Sequence, residues 1–370
     1  MQVAAIATVY RHNSHAEMMI GRLLGDFPHY TPSIKVASLY LDQIPDNDAG
    51  VDAAGRHGAA VCGTIRETIQ HAVTHGGLDG VIIIGEHGNY RVDAMGRKRY
   101  PRKRLLEETL LALDELGVRV PIFSDKFLSW CVEESVWMYE QLKRRNIPFF
   151  GGSSIPHTAV RPEFDRQLLK GAREWLIVSF SNELEAYGYH ALEVLQSLAE
   201  RRDGGETGIS SVSSLSGEAA WEALARREWP EDMLLQTLER SGIAVEPHPK
   251  NSEEQERTTV IVVEYRDGCK GYVVQRKEWT DRWSFSFRDA TGGIVSAVCL
   301  SDNARPFGHF DTLTGLIERF ILTRAEPVSP ERILITSCLI NRVMESLHKG
   351  VGVMTPELLV QYKSKGRLPY

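Results

Sequence analysis

At 370 residues, 42% hydrophobic and 25% charged, the chain is long enough for two globular domains with their own cores. A formal net charge of -6 leaves no overall basic footprint, which argues against nucleic acid as a main partner, and no apolar run approaches the ~20 residues of a membrane-spanning helix. The five cysteines (Cys62, Cys131, Cys269, Cys299, Cys338) are scattered and never spaced Cys-x-x-Cys, which speaks against a disulfide framework or zinc ribbon and for a cytoplasmic setting.

The N-terminus enters a strand pattern directly, Val3–Val9, and does not read as a signal peptide. Ser14 begins a helix to about Leu24, with Ser14-His-Ala-Glu17 as a capping box. Lys35–Leu41 is a second strand, ending at Asp42 in an acidic loop. A helix near Asp48–His57 and a short strand at Ala59–Cys62 follow. Thr64-Ile-Arg-Glu67 is another capping box, opening a helix to about His75. Val81–Ile84, four consecutive β-branched residues between glycines, predicts a strand buried on both faces of a parallel sheet. After a basic loop, helices at Arg104–Leu116 and Ser129–Arg145 alternate with strands ending at Asp125-Lys126 and Gly151. This alternation predicts a Rossmann-like, doubly wound parallel sheet.

Gly151-Gly-Ser-Ser-Ile-Pro156 concentrates turn residues and marks a domain boundary, giving domains 1-152 and 153-370. Beyond it the pattern changes. Strands at Trp175–Phe180 and Ile209–Ser213 are separated by a helix at Glu185–Arg202. Helices near Gly217–Arg227 and from Pro230 precede a polar segment, 246–256, that reads as a loop. Thr259–Tyr265 and Gly271–Arg276 form a hairpin, with further strands at Trp283–Arg288 and Ile294–Leu300. Two helices, His309–Thr323 and Pro330–Lys349, close the second domain. The second domain is therefore expected to be α+β on a mostly antiparallel sheet. Ile261-Val-Val263 and Tyr272-Val-Val274 place apolar residues on both sheet faces, and the pattern offers helices for only one. The other face is expected to form a sheet-to-sheet homodimer or homotetramer.

The chemistry-bearing residues gather at strand ends. In an open α/β sheet ligands bind outside the carboxyl ends of the strands. One buried strand ends in Gly85-Glu86-His87-Gly88, the next in Ser124-Asp125-Lys126. His12, His15, Glu86, His87 and Asp125 would share that edge, and imidazoles with carboxylates suit a divalent metal, with His15, Glu86, His87 and Asp125 as candidate ligands. The plain structural reading makes Glu17 a cap, His15 a helix-end residue and Glu86 the partner of a neighbouring arginine. The loop Asn89–Arg104 carries seven cations against Asp93. It reads either as a solvated face or as a clamp for an anionic small-molecule substrate, with Tyr100-Pro-Arg102 pointing inward. Ser153, Ser154 and His157 follow the last strand of the first domain, as cleft-lining or as linker residues.

The order of elements resembles the Gfo/Idh/MocA oxidoreductases over nearly the whole chain. Asp125-Lys126 falls where that family has Glu-Lys-Pro, with Phe127 in place of the proline. Gly188-Tyr-His190 with Glu193 matches its Gly-x-His-x-x-Asp helix, and Ser329-Pro-Glu-Arg-Ile-Leu with Thr355-Pro-Glu-Leu358 its C-terminal end. The resemblance implies NAD or NADP as cofactor. It assigns Lys126 to the nicotinamide ribose and substrate hydroxyl, and His190 to proton transfer. It departs in two places. The aspartate usually four residues before the histidine is Ala186. The first turn, Thr8-Val-Tyr-Arg-His-Asn-Ser-His-Ala-Glu17, lacks the glycines that let a backbone approach a pyrophosphate. Tyr10, His12, Asn13 and His15 would have to line the cofactor there, with Asp42 on its ribose, while Glu17 competes for the same amides.

Three readings result. The leading one is an oxidoreductase moving a hydride between NAD(P) and a sugar-like, polyol or hydroxy-acid substrate. Its catalytic residues would come from Lys126, His190, Asp125, Glu86 and His87. The alternative is a non-redox lyase or hydrolase on the same scaffold with a lost dinucleotide site. The third is a ligand-sensing or assembly protein without chemistry.

Overall fold

The β-branched runs and short polar connections of the N-terminal part build a six-stranded sheet. In the computed structural model, which describes residues 1–243, 256–277, 279–302 and 304–365, the chain divides into two units. The first comprises Met1–Asp93, Lys98–Gly152 and Ala304–Leu334, the second Ala94–Arg97, Ser153–Asn303 and Ile335–Tyr370. The segment predicted as a polar loop, 246–256, lies almost wholly outside the described residues.

In the first unit β1 (Gln2–Ala7), β2 (Lys35–Leu41), β3 (Ala60–Val61), β4 (Gly80–Ile84), β5 (Ile122–Asp125) and β6 (Phe149–Gly152) pair in parallel in the order β3-β2-β1-β4-β5-β6. Every residue of β4 is buried, which only an apolar run between covered faces tolerates. The strand order reverses between β1 and β4, the position where a doubly wound sheet opens its crevice. Connecting the strands are α1, wound as a π-turn at Glu17–Gly21 and continuing as Arg22–Leu24, α2 (Gly50–Arg56), α3 (Ile65–Thr74), α4 (Arg102–Glu115) and α5 (Val132–Arg144). Thr64 and Glu67 form the predicted capping box reciprocally. At Ser14 only half of the box forms. Ser14 Oγ accepts the Glu17 amide at 3.2 Å, but the Ser14 amide already donates to Arg11, so the Glu17 carboxylate takes the Asn13 amide at 2.6 Å.

The helix His309–Thr323 completes this unit. Arg22, with no solvent exposure, donates to Asp311 at 2.6 Å and to the carbonyls of Pro306 and Phe307. Ile321 lies so close to β4 that a Cβ on Gly80 would come within 2.3 Å of its Cδ1.

In the second unit β7 (Val160–Arg161), β8 (Glu174–Ser179), β9 (Ile209–Ser216), β10 (Thr259–Tyr265), β11 (Lys270–Gln275), β12 (Ser284–Arg288), β13 (Ile294–Cys299) and β14 (Val353–Met354) form one sheet in the order β14-β9-β10-β11-β8-β12-β13-β7. Only the β11–β8 pair is parallel. The two-residue strands β7 and β14 carry too little pattern to be visible in the sequence. A helix α6, π-wound at Leu184–Gly188 and regular at Tyr189–Ala199, packs on β8 and β11; a Cβ on Gly271 would meet Leu195 at 2.7 Å.

The expectation of an uncovered sheet face is overturned. The two helices α7 (Glu218–Ala225) and α8 (Glu231–Arg240) lay Trp221, Leu224, Trp229, Met233, Leu234 and Leu238 over Leu176, Val178, Val260, Val262, Tyr272 and Val274. The apolar residues taken as an interface are thus part of this chain's own core. Trp229 is 2% exposed, and its indole N–H donates to the Ala220 carbonyl at 2.9 Å. Trp229→Ala is expected to cost about 3–5 kcal/mol, the usual range for deleting a buried aromatic. Circular-dichroism melts should show an unfolding transition lowered by several degrees; an unshifted melt would mean that α7 and α8 cover the sheet only weakly.

Candidate functional site

The strands β1, β4 and β5 are neighbours, so the residues that follow them converge at one edge of the first unit's sheet. His87 and Lys126, just past β4 and β5, both take left-handed backbone conformations, φ 67° and 65°. Such conformations are costly for side chains other than glycine, and they aim the residues out of the strand direction. The Lys126 amide is held by the Gly152 carbonyl at 3.1 Å, and Thr8 Oγ1 donates to the Glu86 carbonyl at 2.6 Å.

Glu86 is the electrostatic centre. Its Oε2 accepts from Arg102 at 2.5 Å, and Lys126 Nζ stands 3.9 Å from its Oε1. Burial raises the pKa of this carboxyl, but Lys126 and Arg102 outweigh burial and bring it down to about 2. Arg102, the first residue of α4, is fully buried with its guanidinium 4.1 Å from the Phe127 ring and 4.6 Å from the Tyr100 ring. Tyr100 and Arg102 are both buried, and Phe127 in place of proline supplies one face of the guanidinium's slot. Gly85 keeps that slot open, since a Cβ there would lie 2.6 Å from Arg102 Cγ.

Beside this pair, His15 Nδ1 and Asp125 Oδ2 are 2.6 Å apart, with Asp125 buried and the His15 side chain 18% exposed. A carboxylate at Nδ1 fixes the ring and leaves Nε2 for a ligand or proton. His87 stands edge-on to His15 with ring centroids 5.4 Å apart. Burial lowers its pKa to about 4, and the charge of a protonated His15 adds to the effect. Among the described residues its buried Nε2 has no hydrogen-bond partner.

The divalent metal that these residues would suit finds no support: among the described residues no three His, Cys, Asp or Glu side chains are arranged to hold an ion. The physical reason is that both carboxylates are already spent, Asp125 on His15 and Glu86 on the two cations.

Of the residues expected to line a dinucleotide, Asn13, His15 and Asp42 are engaged by other groups of the chain. Tyr10 is buried, and its carbonyl accepts the Ala49 amide at 2.8 Å. Asn13, at φ 59°, gives its amide to Glu17, and Arg305 binds Glu17 at 3.0 and 3.1 Å and Asn13 Oδ1 at 3.0 Å. The His12 side chain is 70% exposed. Asp42 accepts from Tyr40 at 3.0 Å, from Tyr90 at 2.7 Å and from Arg104. Gln43 and Asn89 exchange two further hydrogen bonds, at 3.2 and 2.9 Å, that join the loops after β2 and β4. In this conformation the first turn does not fit a pyrophosphate. Arg305 at Glu17 and Tyr90 and Arg104 at Asp42 left no signal in the sequence, being remote from the residues they hold.

The second unit carries its own cluster. Ser153 Oγ is 2.6 Å from His190 Nδ1 and also accepts the Ile155 amide at 3.0 Å, while the Ser153 amide donates to Glu193 at 3.3 Å. Where the resemblance expects an aspartate and this chain has Ala186, Ser153 supplies the ring nitrogen's partner. A hydroxyl donating to Nδ1 leaves the neutral ring's proton on Nε2. Ser154 and His157 are buried in the short turn that follows.

No protein-family model and no curated protein sequence matches the chain. Solved structures do share its fold. GenD2 from gentamicin A biosynthesis, crystallised with NAD, aligns with a TM-score of 0.61 at 12% identity over 96% of this chain and 97% of its own. The scyllo-inositol dehydrogenase of Lactobacillus casei, with bound NAD(H) and scyllo-inositol, gives 0.59 at 13% identity over 95% and 98%. A myo-inositol dehydrogenase from Corynebacterium glutamicum gives 0.57 at 12% over 95% and 98%. The two-part architecture predicted from the sequence is therefore that of known dehydrogenases. Among the described residues no helix is long and apolar enough to cross a membrane.

The buried His87 makes a prediction about stability. Its pKa falls on folding from 6.5 to about 4, so between these values the unfolded chain binds more protons. Stability contributed by neutral His87 is full above pH 6.5 and is lost as pH falls toward 4, by up to ~3 kcal/mol. His87→Asn, which tolerates the left-handed backbone, should flatten that part of the pH profile in urea denaturation. An unchanged slope would show that His87 does not titrate as a buried group.

Proposed function

We propose that the chain is an oxidoreductase acting on the hydroxyl or carbonyl group of a small sugar-like, polyol or hydroxy-acid substrate, with NAD(P) as its hydride carrier. The observation that carries this reading is the buried Lys126 at the carboxyl edge of the sheet, held beside Glu86 and flanked by the His15–Asp125 pair. The dehydrogenases that share the fold support the class of reaction. The first turn as it stands does not admit the carrier's pyrophosphate, so the roles below are those of the chain's own groups.

Lys126 orients the reacting oxygen and stabilises negative charge on it, as a preorganised cation in a water-poor pocket does. Glu86 fixes the ammonium's position through attraction, being too far at 3.9 Å for a direct hydrogen bond. His15 takes or returns the hydroxyl proton at Nε2, and Asp125 steadies the imidazolium that results. Within the second unit, His190, with Nδ1 held by Ser153, is a candidate proton-transfer group.

Lys126→Met keeps the stem and removes the ammonium. Turnover is expected to fall at least ~100-fold, with a lowered melting temperature because buried Glu86 keeps only Arg102 as its cation. The assay is a panel of sugars, polyols and hydroxy acids with NAD or NADP, read by nicotinamide absorbance. Near-parental turnover in the folded variant would remove Lys126 from the mechanism, and no turnover of any panel member by the parent protein would sink the proposal itself.

A further inference from the structure

We infer that the first turn carries a built-in substitute for a phosphate: the Glu17 carboxylate, clamped by Arg305, occupies the anion position and excludes a dinucleotide until that ion pair opens. This rests on the proposed function for its ligand class, and bears on the carrier alone, not on Lys126.

In a regular dinucleotide-binding turn, backbone amides at the start of the first helix meet the pyrophosphate. Here the amides of Arg11, Asn13 and Glu17 are all taken, the first and third by Ser14 Oγ at 3.1 and 3.2 Å, the second by Glu17 at 2.6 Å. The carboxylate stands on the amide that a phosphate oxygen would use. Its charge is matched by Arg305, which spans both Glu17 oxygens and Asn13 Oδ1, a two-pronged geometry that a phosphate would accept equally well. Arg305 and Glu17 are both in the first unit, although 288 residues apart. The Glu17 side chain is 12% exposed and that of Arg305 40%, so the clamp opens from the arginine side. A second lock lies at Asp42, whose oxygens are covered by Tyr40, Tyr90 and Arg104. The chain thus places its own groups on the Asn13 amide and on the Asp42 carboxylate.

An anion brought to this turn meets the like charge of Glu17. At contact distance that repulsion is worth on the order of tenfold in affinity or more. Removing the charge while leaving Arg305 should convert the turn into an anion site.

Calorimetric titration of parent, Glu17→Gln and Glu17→Ala proteins with NAD, NADP and inorganic pyrophosphate tests this. Circular dichroism confirms that each is folded, and either variant suffices if the other is not. The expected result is tighter binding of pyrophosphate by at least ~10-fold in the variants, with the dinucleotides following. A gain for pyrophosphate with none for NAD or NADP upholds the clamp and counts against the dinucleotide in the proposed function. Micromolar dinucleotide binding by the parent, unchanged in the variants, overturns the clamp and leaves the proposed function standing. No binding of any probe by any of the proteins also overturns it.

Discussion

The edge of the six-stranded sheet is organised by one constraint, that a carboxylate buried beside a permanent cation must be neutralised in place. Glu86 is placed past β4 by an all-apolar strand that leaves it little access to water. Taking a carboxylate out of water costs several kcal/mol unless charge and hydrogen bonds repay it. Arg102 repays part through a direct hydrogen bond, and Lys126 part through proximity. Neither cation is there by chance of surface charge. Arg102 needs Gly85 beneath it and two aromatic rings about it, and Lys126 needs a left-handed backbone to turn toward Glu86. The strain at Lys126 and the missing side chain at Gly85 are thus consequences of the same charge balance.

That balance also fixes the neighbouring imidazoles. Burial disfavours a positive charge on the His87 ring, and the charge of a protonated His15 adds to the effect. His87 is therefore held neutral down to about pH 4. His15 has what His87 lacks, a direct carboxylate partner and partial access to solvent. Two adjacent histidines thereby receive different chemistry from their surroundings.

The sequence displayed this edge because its residues are local to strong patterns. Glu86-His87 and Asp125-Lys126 each terminate a buried strand, and an apolar run stopping at charged residues is visible without tertiary knowledge. The capping box at Thr64 was equally legible, since both partners lie within one helical turn. What remained hidden was long-range. Arg305 reaches Glu17 across 288 positions, and Asp42 collects Tyr90 and Arg104 from a loop and helix whose path no periodicity predicts. The cover over the second sheet was hidden for another reason. The patterns of α7 and α8 announce helices, but not which sheet face their tryptophans meet, so Val262, Tyr272 and Val274 read as an interface while they belong to the core.

The first turn and the strand edge carry opposite electrostatic logic within one unit. At the turn, the amides of Arg11, Asn13 and Glu17 and the Glu17 carboxylate are satisfied locally, and the Glu17–Arg305 pair leaves no net charge to attract an anion. At the edge, charge is balanced but donors are not exhausted: among the described residues, Arg102 Nε and Nη1 and His87 Nε2 are buried without hydrogen-bond partners. Buried polar atoms left unpaired cost stability and persist where a ligand or an ordered water completes them. A ligand rich in hydroxyl or carboxyl oxygens satisfies such donors, whereas an apolar one would leave them stranded. Beside Glu86 and Lys126 the unpaired atoms are therefore donors, whereas at the turn Glu17 and Arg305 satisfy each other.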